Sequence, residues 1–323
     1  MRTKAVAALA VAFALPTLSA PSAAQQWPDK TVRMLVPFPP GGGTDIQARL
    51  FNSAFQKSMG QNFIIDNRTG ASGLIAGQLV VDSPPDGNTI LFTSGSISVV
   101  VTLYGGRMKF DAQKDLVPVS WISSTPLVLT VHPSVPARSV KELVALVKRS
   151  KGTMNAGGNT SGSTAHLTGE MFNQWFGTKT PVLTYRGGGP AVIALISGEI
   201  DYIFATAPSI MPHVKSGKAR ALAVTTKKRS STLPDLPTMD SMYPGFLSDN
   251  WYAMFYPKGT PRPIVDKLNA EIKKALETPE VKAFLPRDAL DPVASSPEEL
   301  ASFFDSEIKK YAKVIKAANI HVD

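Results

Sequence analysis

The stretch Val36-Pro37-Phe38-Pro39-Pro40-Gly41-Gly42-Gly43-Thr44-Asp45 follows an apolar run that predicts a buried strand, and it precedes a helical pattern that begins near Ile46. Its glycines let the backbone approach a ligand closely, and the free N–H groups at a helix start favour an anion. It is neither a Walker loop, because no Gly-Lys-Ser/Thr follows, nor a G-x-G-x-x-G dinucleotide site. From glycine content alone, two interpretations are equally good: an anion site, or a turn in which Asp45 only caps the helix.

Four further segments rich in glycine and hydroxyl residues follow predicted strands or precede predicted helices. They are Asn67–Gly73, Thr93–Ser96, Gly157–His166 and Tyr185–Pro190. Ligands of α/β sheets bind in the crevice outside the carboxyl ends of the strands, where donors from several loops can meet. Because five such loops occur in one chain, we expect them to line a single crevice for a small molecule.

The rest of the chain alternates short apolar runs rich in β-branched residues with stretches of helical periodicity. This alternation predicts an α/β fold with a parallel or mixed sheet. Helix starts are predicted at Ser139, where Glu142 completes a capping-box spacing, at Thr260 and at Ser296. The predicted strands are Thr31–Val36, Thr89–Thr93, Leu127–Val131, Pro181–Thr184, Tyr202–Ala205, Ala219–Thr225 and Trp251–Phe255.

The N-terminus has the pattern of a secretory signal peptide. Two positive charges, Arg2 and Lys4, precede an uncharged apolar run from Ala5 to Leu15 and small residues that end at Ala24. A membrane anchor is the alternative, but the run falls short of the roughly 20 apolar residues that span a bilayer. We therefore expect residues 1–24 to be cleaved and the mature chain to be exported to the periplasm. Because the chain has no cysteine, no thiol is available for lipid attachment, a disulfide or a thiolate metal site.

Chain length predicts two lobes. Removing 24 residues from 323 leaves about 299, more than one hydrophobic core usually organises. We expect residues 25–122 plus 249–323 to form lobe 1 and residues 123–248 to form lobe 2, joined by two crossings that act as a hinge. The formal charge of +9 suits an anionic ligand, but the basic residues are scattered and lack interleaved aromatics, so no nucleic-acid partner is expected.

A set of motifs recurs in a recognisable order along the mature chain. Besides residues 36–45 and 67–73, they are Pro85-Asp86-Gly87, His132-Pro133-Ser134, Gly162–Leu167, Tyr185–Gly188, Ala219–Thr225 and Leu233–Thr238. With them the chain resembles the Bug receptors, the extracytoplasmic solute-binding components of tripartite tricarboxylate transporters. The resemblance implies a type II periplasmic binding protein fold, with a ligand cleft between two α/β lobes and two hinge crossings. It also implies a monomer without a cofactor or metal that binds a small organic acid and docks on the membrane subunits of such a transporter. A receptor that presents its closed form to the ectodomain of a membrane sensor is the alternative.

The resemblance further implies which residues contact the ligand. The first two glycine-rich loops and the Ser163–His166 loop would grip carboxylate oxygens through backbone groups, hydroxyls and bridging water. His166 is expected mainly to brace its loop, and Arg186 either pairs with a ligand carboxylate or braces its own loop. The expected ligand-binding residues are Phe38, Pro40, Gly41, Gly42, Thr44, Asp45, Asn67, Ser72, Ser94, Ser96, Ser161, Ser163, Thr164, His166, Tyr185, Arg186, Ala205 and Thr206.

The segment Ala205–Pro208 bears on the identity of the ligand, because it varies in the family and tends to meet the far end of the ligand. Here it offers methyl groups and one hydroxyl but no charge. The ammonium group of an amino acid would want a carboxylate partner, so an organic acid without an amine fits better. Aliphatic di- or tricarboxylates suit the family, and an aromatic dicarboxylate such as terephthalate suits this uncharged segment.

An enzyme has little support in the sequence. The chain contains no G-x-S-x-G elbow, no cysteine nucleophile and no His-rich metal spacing. A serine hydrolase that uses Ser163 with His166 is the alternative, but the pair lacks an evident acid to orient the imidazole. We therefore expect no catalytic residues.

Overall fold

The computed structural model describes residues 27–41, 43–230, 232–287 and 289–320 of the 323-residue chain. The predicted signal peptide, its cleavage after Ala24 and the predicted ligand contact Gly42 lie outside the described residues.

The described residues form ten strands and twelve α-helices. The strands are β1 (Val32–Val36), β2 (Phe63–Asn67), β3 (Thr89–Ser94), β4 (Leu116–Val131), β5 (Ala156–Gly158), β6 (Val182–Thr184), β7 (Tyr202–Thr206), β8 (Arg220–Val224), β9 (Asp249–Pro257) and β10 (Asp291–Pro292). The helices are α1 (Gly43–Met59), α2 (Leu74–Val81), α3 (Ser96–Leu103), α4 (Ala112–Asp115), α5 (Val140–Ser150), α6 (Thr164–Phe176), α7 (Gly188–Ile196), α8 (Ala207–Lys215), α9 (Met239–Met242), α10 (Arg262–Glu277), α11 (Pro279–Arg287) and α12 (Pro297–Ala318).

The strands form a mixed sheet in the order β2-β1-β3-β9-β4-β7-β5-β6, with β8 and β10 also paired to β4. Parallel pairing joins β1 to β2 and β3 at one end, and β5 to β6 and β7 at the other. The antiparallel strands β9 and β4 stand between these two parallel units. The α/β prediction is confirmed, and the fold has two halves, each with its own parallel unit.

Strand β4 runs through both halves of the sheet. Its first part, Leu116–Pro126, pairs with β9, and its last part, Leu127–Val131, pairs with β7 and β8. Only Leu127–Val131 was predicted, because serines and prolines interrupt the apolar pattern of the first part and two bulges shift its register. The predicted lobe boundaries at residues 122 and 249 fall within β4 and at the first residue of β9, and they stay a prediction.

Each half buries both faces of its sheet under helices. In the first half, α1 and α10 cover one face and α2 covers the other. In the second half, α5 and α6 cover one face and α7 and α8 the other. Helix α12 contributes to both halves, since Leu300, Phe304 and Ile308 pack in the first and Tyr311, Val314 and Ile315 in the second. A single helix therefore packs across the two strands that connect the halves.

The predicted helix starts at Ser139 and Ser296 are confirmed by their caps, whereas the helix predicted at Thr260 begins at Arg262, after Pro261, without a side-chain cap. The Ser139 hydroxyl accepts a hydrogen bond from the Glu142 N–H at 3.2 Å, and Ser296 and Glu299 form a full capping box. Strands β2, β5 and β10 were missed in the sequence. β5 consists of Ala-Gly-Gly, which has little intrinsic strand preference, and β10 has only two residues.

Candidate ligand-binding cleft

The loop after β1 is held in shape by the Asp45 carboxylate, which is 1% exposed. Its Oδ2 atom accepts from the Gly41 N–H and from Arg49 Nε, each at 2.9 Å, and its Oδ1 accepts from Asn67 Nδ2 at 3.0 Å. Burial alone would raise the pKa of Asp45, but these hydrogen bonds outweigh it and the pKa is lowered. Asn67 Nδ2 also donates to the Phe38 carbonyl at 2.9 Å. Asp45 and Asn67, both predicted ligand contacts, thus tie the loop after β1 to the end of β2.

The start of α1 lies against a residue whose role in the site was missed in the sequence. A Cβ atom added to Gly43 would lie 3.0 Å from the Tyr252 hydroxyl, which also accepts from Asn250 Nδ2 at 3.0 Å. Thr44, the residue after Gly43, is buried. Earlier in the same loop, Pro40 is exposed, and Gly41 has a φ of +81°, a conformation that favours glycine. Tyr252 lies in β9.

The loops after β2 and β3 meet the loop after β1. Gly73 has a φ of +109°, and a Cβ there would lie 3.3 Å from Pro37 and 4.0 Å from Ser96 Oγ. The hydroxyls of Ser94 and Ser96 are 3.2 Å apart and both residues are buried. The loops at the carboxyl ends of the parallel strands β1, β2 and β3 therefore converge in the first half, as the sequence predicted.

In the second half, the loop after β5 is closed by its own hydrogen bonds. Ser163 Oγ accepts from the His166 N–H at 3.2 Å, which caps α6, and the Gly162 N–H donates to His166 Nδ1 at 3.1 Å. His166 is 7% exposed, and burial lowers the pKa of its imidazole, which keeps the ring neutral with Nδ1 as an acceptor. His166 therefore braces the loop, and Thr164 is buried beneath it.

The loops of the two halves touch each other. The Ser72 hydroxyl donates to the Ser161 carbonyl at 3.3 Å. Gly162 leaves no room for a side chain, because a Cβ there would lie 2.5 Å from Leu103 Cδ1 and 3.7 Å from Ser72 Oγ. The first-half segments around Ser72 and Leu103 are thus in contact with the Ser161–Gly162 turn of the second half.

Tyr185 and Arg186 follow β6 at the same edge of the sheet. The Tyr185 hydroxyl donates to Glu199 Oε1 at 2.7 Å, and burial together with that carboxylate raises the pKa of Tyr185 to about 12. Its backbone N–H donates to the Asn159 carbonyl at 2.8 Å. Arg186 is exposed. The Tyr185 hydroxyl is thus directed at Glu199, whereas its backbone joins the loops after β5 and β6.

Ala205 and Thr206 are the last two residues of β7, which pairs with β5 on one side. Ala205 is buried and pairs with Val128, and the Thr206 hydroxyl lies 3.0 Å from Ser209 Oγ. Because β5, β6 and β7 are parallel, their carboxyl ends meet at one edge, which puts Thr206 near the same edge as the loop after β5.

Other surface features lie apart from these loops. One groove, of about 580 Å³, lies around Arg220 and Leu233, and a second, of about 570 Å³, lies around Leu276 and Leu285. None of the predicted ligand contacts borders either groove. No helix in the described part of the chain is long and apolar enough to cross a membrane. Within the same residues, no group of three or more His, Asp or Glu side chains could hold a metal ion.

The sequence matches the family model described as "Tripartite tricarboxylate transporter family receptor" over residues 47–320. The chain belongs to this receptor family. It is 34% identical to protein BugT of Bordetella pertussis over 316 residues, which cover 97% of each chain.

Solved structures of similar proteins share the fold. The periplasmic binding protein BugD superposes with a TM-score of 0.79 at 30% identity, covering 91% of this chain and 99% of BugD. An R. palustris protein solved with adipate gives 0.80 at 33% identity, covering 91% of this chain and 99% of that one. MatC from Rhodopseudomonas palustris with bound malate gives 0.78 at 30% identity, covering 90% and 100%. The resemblance to the Bug receptors and the expected two-lobed periplasmic binding protein fold are confirmed.

Proposed function

We propose that this receptor binds a small organic dicarboxylate between its two lobes and delivers it to the membrane subunits of a tripartite transporter. The observation that carries the proposal is the meeting of loops from both halves of the sheet, where the Ser72 hydroxyl reaches the Ser161 carbonyl. Adipate and malate, the molecules in two of the related structures, are both dicarboxylates, which supports this ligand class.

The first carboxylate would be held by donors at the ends of β1, β3 and β5. The N–H groups at the start of α1, near Gly43, carry positive partial charge, and an anion at such a helix end gains about 0.3–2 kcal/mol. The neighbouring hydroxyls of Ser94 and Ser96 and the Ser161–Ser163 turn opposite them supply further donors. Most of the other predicted contacts shape these loops, as Asp45 and Asn67 do.

The same contacts favour an acid without an amine. Asp45 is the acidic residue among the predicted contacts, and its carboxylate is already held by Gly41, Arg49 and Asn67. A ligand ammonium group would have to compete with those donors for it, at the cost of its own hydration. Aromatic dicarboxylates such as terephthalate stay within the proposed class, because Ala205 and Thr206 bring no charge to the edge of β7.

Closure of the two lobes on the ligand follows from the same arrangement. We assign residues 25–122 plus 249–323 to lobe 1 and 123–248 to lobe 2, with β4 and β9 as the hinge crossings. A ligand that contacts both lobes favours the closed state, because it interacts with that state more strongly. Helix α12 packs on both cores, so closure must preserve or rearrange that packing.

The receptor is proposed to be a monomer in the periplasm without catalytic activity. The family consists of substrate-binding receptors. In the loop after β5, the Ser163 hydroxyl accepts from the backbone of His166, and the His166 Nδ1 atom accepts from the Gly162 N–H. The imidazole Nδ1 atom is therefore engaged in bracing the loop, which supports a receptor without a catalytic Ser163–His166 pair.

The proposal is tested by isothermal titration calorimetry of the purified protein. The panel contains adipate, malate, succinate, citrate, terephthalate, benzoate and aspartate. The expected result is saturable binding of one molecule per chain for at least one dicarboxylate, with no heat from aspartate. Binding of aspartate alone, or no binding by a protein shown to be folded, would overturn it.

A further inference from the structure

Asn159 is the first residue after β5, the central strand of the parallel unit in the second half, and it lies where the carboxyl ends of these strands meet. β5 lies between β6 and β7, and all three strands are parallel. Residues that follow the central strands of such a sheet border the ligand crevice. The Asn159 carbonyl accepts from the Tyr185 N–H at 2.8 Å, so Asn159 also joins the loop after β5 to the loop after β6.

The side chain of Asn159 has an unmet hydrogen-bonding requirement. Its Oδ1 atom is buried and has no hydrogen-bond partner, although the residue as a whole is half-buried. A buried amide group without a partner costs roughly 1–3 kcal/mol, so such groups usually pair with something. Among the described residues no hydrogen bond holds Oδ1 in place, and a half-turn about the last side-chain bond exchanges Oδ1 with the Nδ2 donors.

Gly188 lies directly beside this amide, and Arg186 is close to it in the chain. A Cβ added to Gly188 would lie 3.6 Å from both Asn159 Oδ1 and Nδ2, so the glycine keeps the space beside the amide free of a side chain. Arg186 lies in the chain between Tyr185 and Gly188, the two residues that contact Asn159. Among the described residues, the exposed Arg186 guanidinium has no ion-pair partner. An amide and a guanidinium together form a donor set for a carboxylate.

We propose that Asn159 is a ligand-binding residue that, with Arg186, receives the second carboxylate of a dicarboxylate. This inference rests on the proposed function, in which the loops after β1, β3 and β5 hold the first carboxylate. It assigns discrimination between di- and monocarboxylates to the Asn159–Arg186 pair. A monocarboxylate would leave both groups unpaired, and that loss of pairing is what makes a polar site selective.

The test compares the binding of adipate and hexanoate, which have the same chain length and differ by one carboxylate. Calorimetry is carried out on the wild type, Asn159→Asp and Asn159→Ala. Asn52→Asp is the matched control, since Asn52 Oδ1 is also buried without a partner but lies in the middle of α1. Melting temperatures of all four proteins establish that they are folded. If Asn159→Asp fails to fold, Asn159→Ala carries the test.

Loss of about tenfold or more in adipate affinity is expected in both Asn159 variants, and the loss should be larger for Asn159→Asp because its carboxylate repels the ligand. The preference for adipate over hexanoate should shrink in parallel, and Asn52→Asp should keep both affinities. Wild-type adipate affinity in a folded Asn159→Ala would overturn the inference while the proposed function stands. An equal loss for adipate and hexanoate would overturn it too, because Asn159 would then not act on the second carboxylate. A wild type that binds no dicarboxylate would instead remove the proposed function, and this inference with it.

Discussion

The indole Nε1 of Trp251 donates a buried hydrogen bond of 3.0 Å to Glu307 Oε2. Trp251 also accepts, through its carbonyl, from the Gly95 N–H at 2.9 Å, in the loop between Ser94 and Ser96. Glu307 in turn pairs with Lys310 at 2.5 Å on α12. A proposed ligand loop, strand β9 and the helix that packs on both halves are therefore joined by consecutive contacts.

Replacing Glu307 with alanine should lower the free energy of unfolding by about 1–3 kcal/mol. The change leaves the Trp251 indole and the Lys310 ammonium without their buried partner, and partial exposure of Lys310 limits the cost. Urea unfolding measures the loss. Glu277→Ala is the control, because its pair with Lys282 is exposed and should contribute less than about 1 kcal/mol. Equal losses in the two variants would contradict the role given to Glu307.

Acidification should destabilise the protein through His166. Burial lowers the pKa of its imidazole below the ordinary 6.5, so the unfolded chain binds the proton more readily. The stabilising contribution is complete above about pH 6.5 and is lost as the pH falls toward the lowered pKa. In His166→Asn, the melting temperature should therefore fall less between pH 7.5 and pH 5 than in the wild type. The same slope in both proteins would refute this assignment, and His213→Asn serves as the control.

Asp249 should have the opposite effect on the pH dependence. Burial, with Glu307 and Asp291 nearby, raises the pKa of Asp249 to about 7 against the opposing charge of Lys310, and its Oδ1 atom has no hydrogen-bond partner. The folded chain then binds the proton more readily than the unfolded chain between about pH 4 and pH 7. Its contribution to stability therefore increases as the pH falls through 7. Asp249→Asn should show a steeper loss on acidification than the wild type, and a shallower loss in thermal melts would contradict the raised pKa.

Substitution of Gly162 by alanine should weaken ligand binding more than it weakens the fold. Gly162 has a φ of +73°, and the new Cβ would lie 2.5 Å from Leu103 Cδ1 of the first half. The clash falls at the contact between the loops of the two halves, where the ligand is proposed to bind, so we expect about a tenfold loss in adipate affinity by calorimetry.

Gly177→Ala provides the matched control. Gly177 has a φ of +63° at the end of α6, but a Cβ there meets nothing within 4 Å. Both variants carry the cost of a left-handed alanine, of order 1 kcal/mol, and only Gly162→Ala adds the contact with Leu103. If Gly177→Ala lost as much affinity, the closure interpretation would be wrong.

Local rules account for what the sequence predicted well. The caps at Ser139 and Ser296 depend on residues three positions away, and the glycine-rich loops follow their strands directly. The bracing role of His166 was also predicted, because Ser163 and Gly162 are its neighbours in the chain.

Long-range contacts were not accessible in the same way. Nothing near Asp45 in the sequence reveals that Asn67, 22 residues later, completes its hydrogen bonds. The Tyr252 hydroxyl beside Gly43 belongs to a strand more than 200 residues away. The first part of β4 was missed because its serines form buried hydrogen bonds to distant groups, as Ser123 does with Gln47. These contacts depend on tertiary packing, which overrides local pattern.

The central claim, a dicarboxylate held between the two lobes, is tested most directly by a crystal structure of the protein grown with saturating adipate. Electron density for adipate should lie between the Ser94–Ser96 loop of the first half and the Ser161–His166 loop of the second. Adipate bound only elsewhere, for example in the groove around Arg220 and Leu233, with these loops empty, would contradict the account.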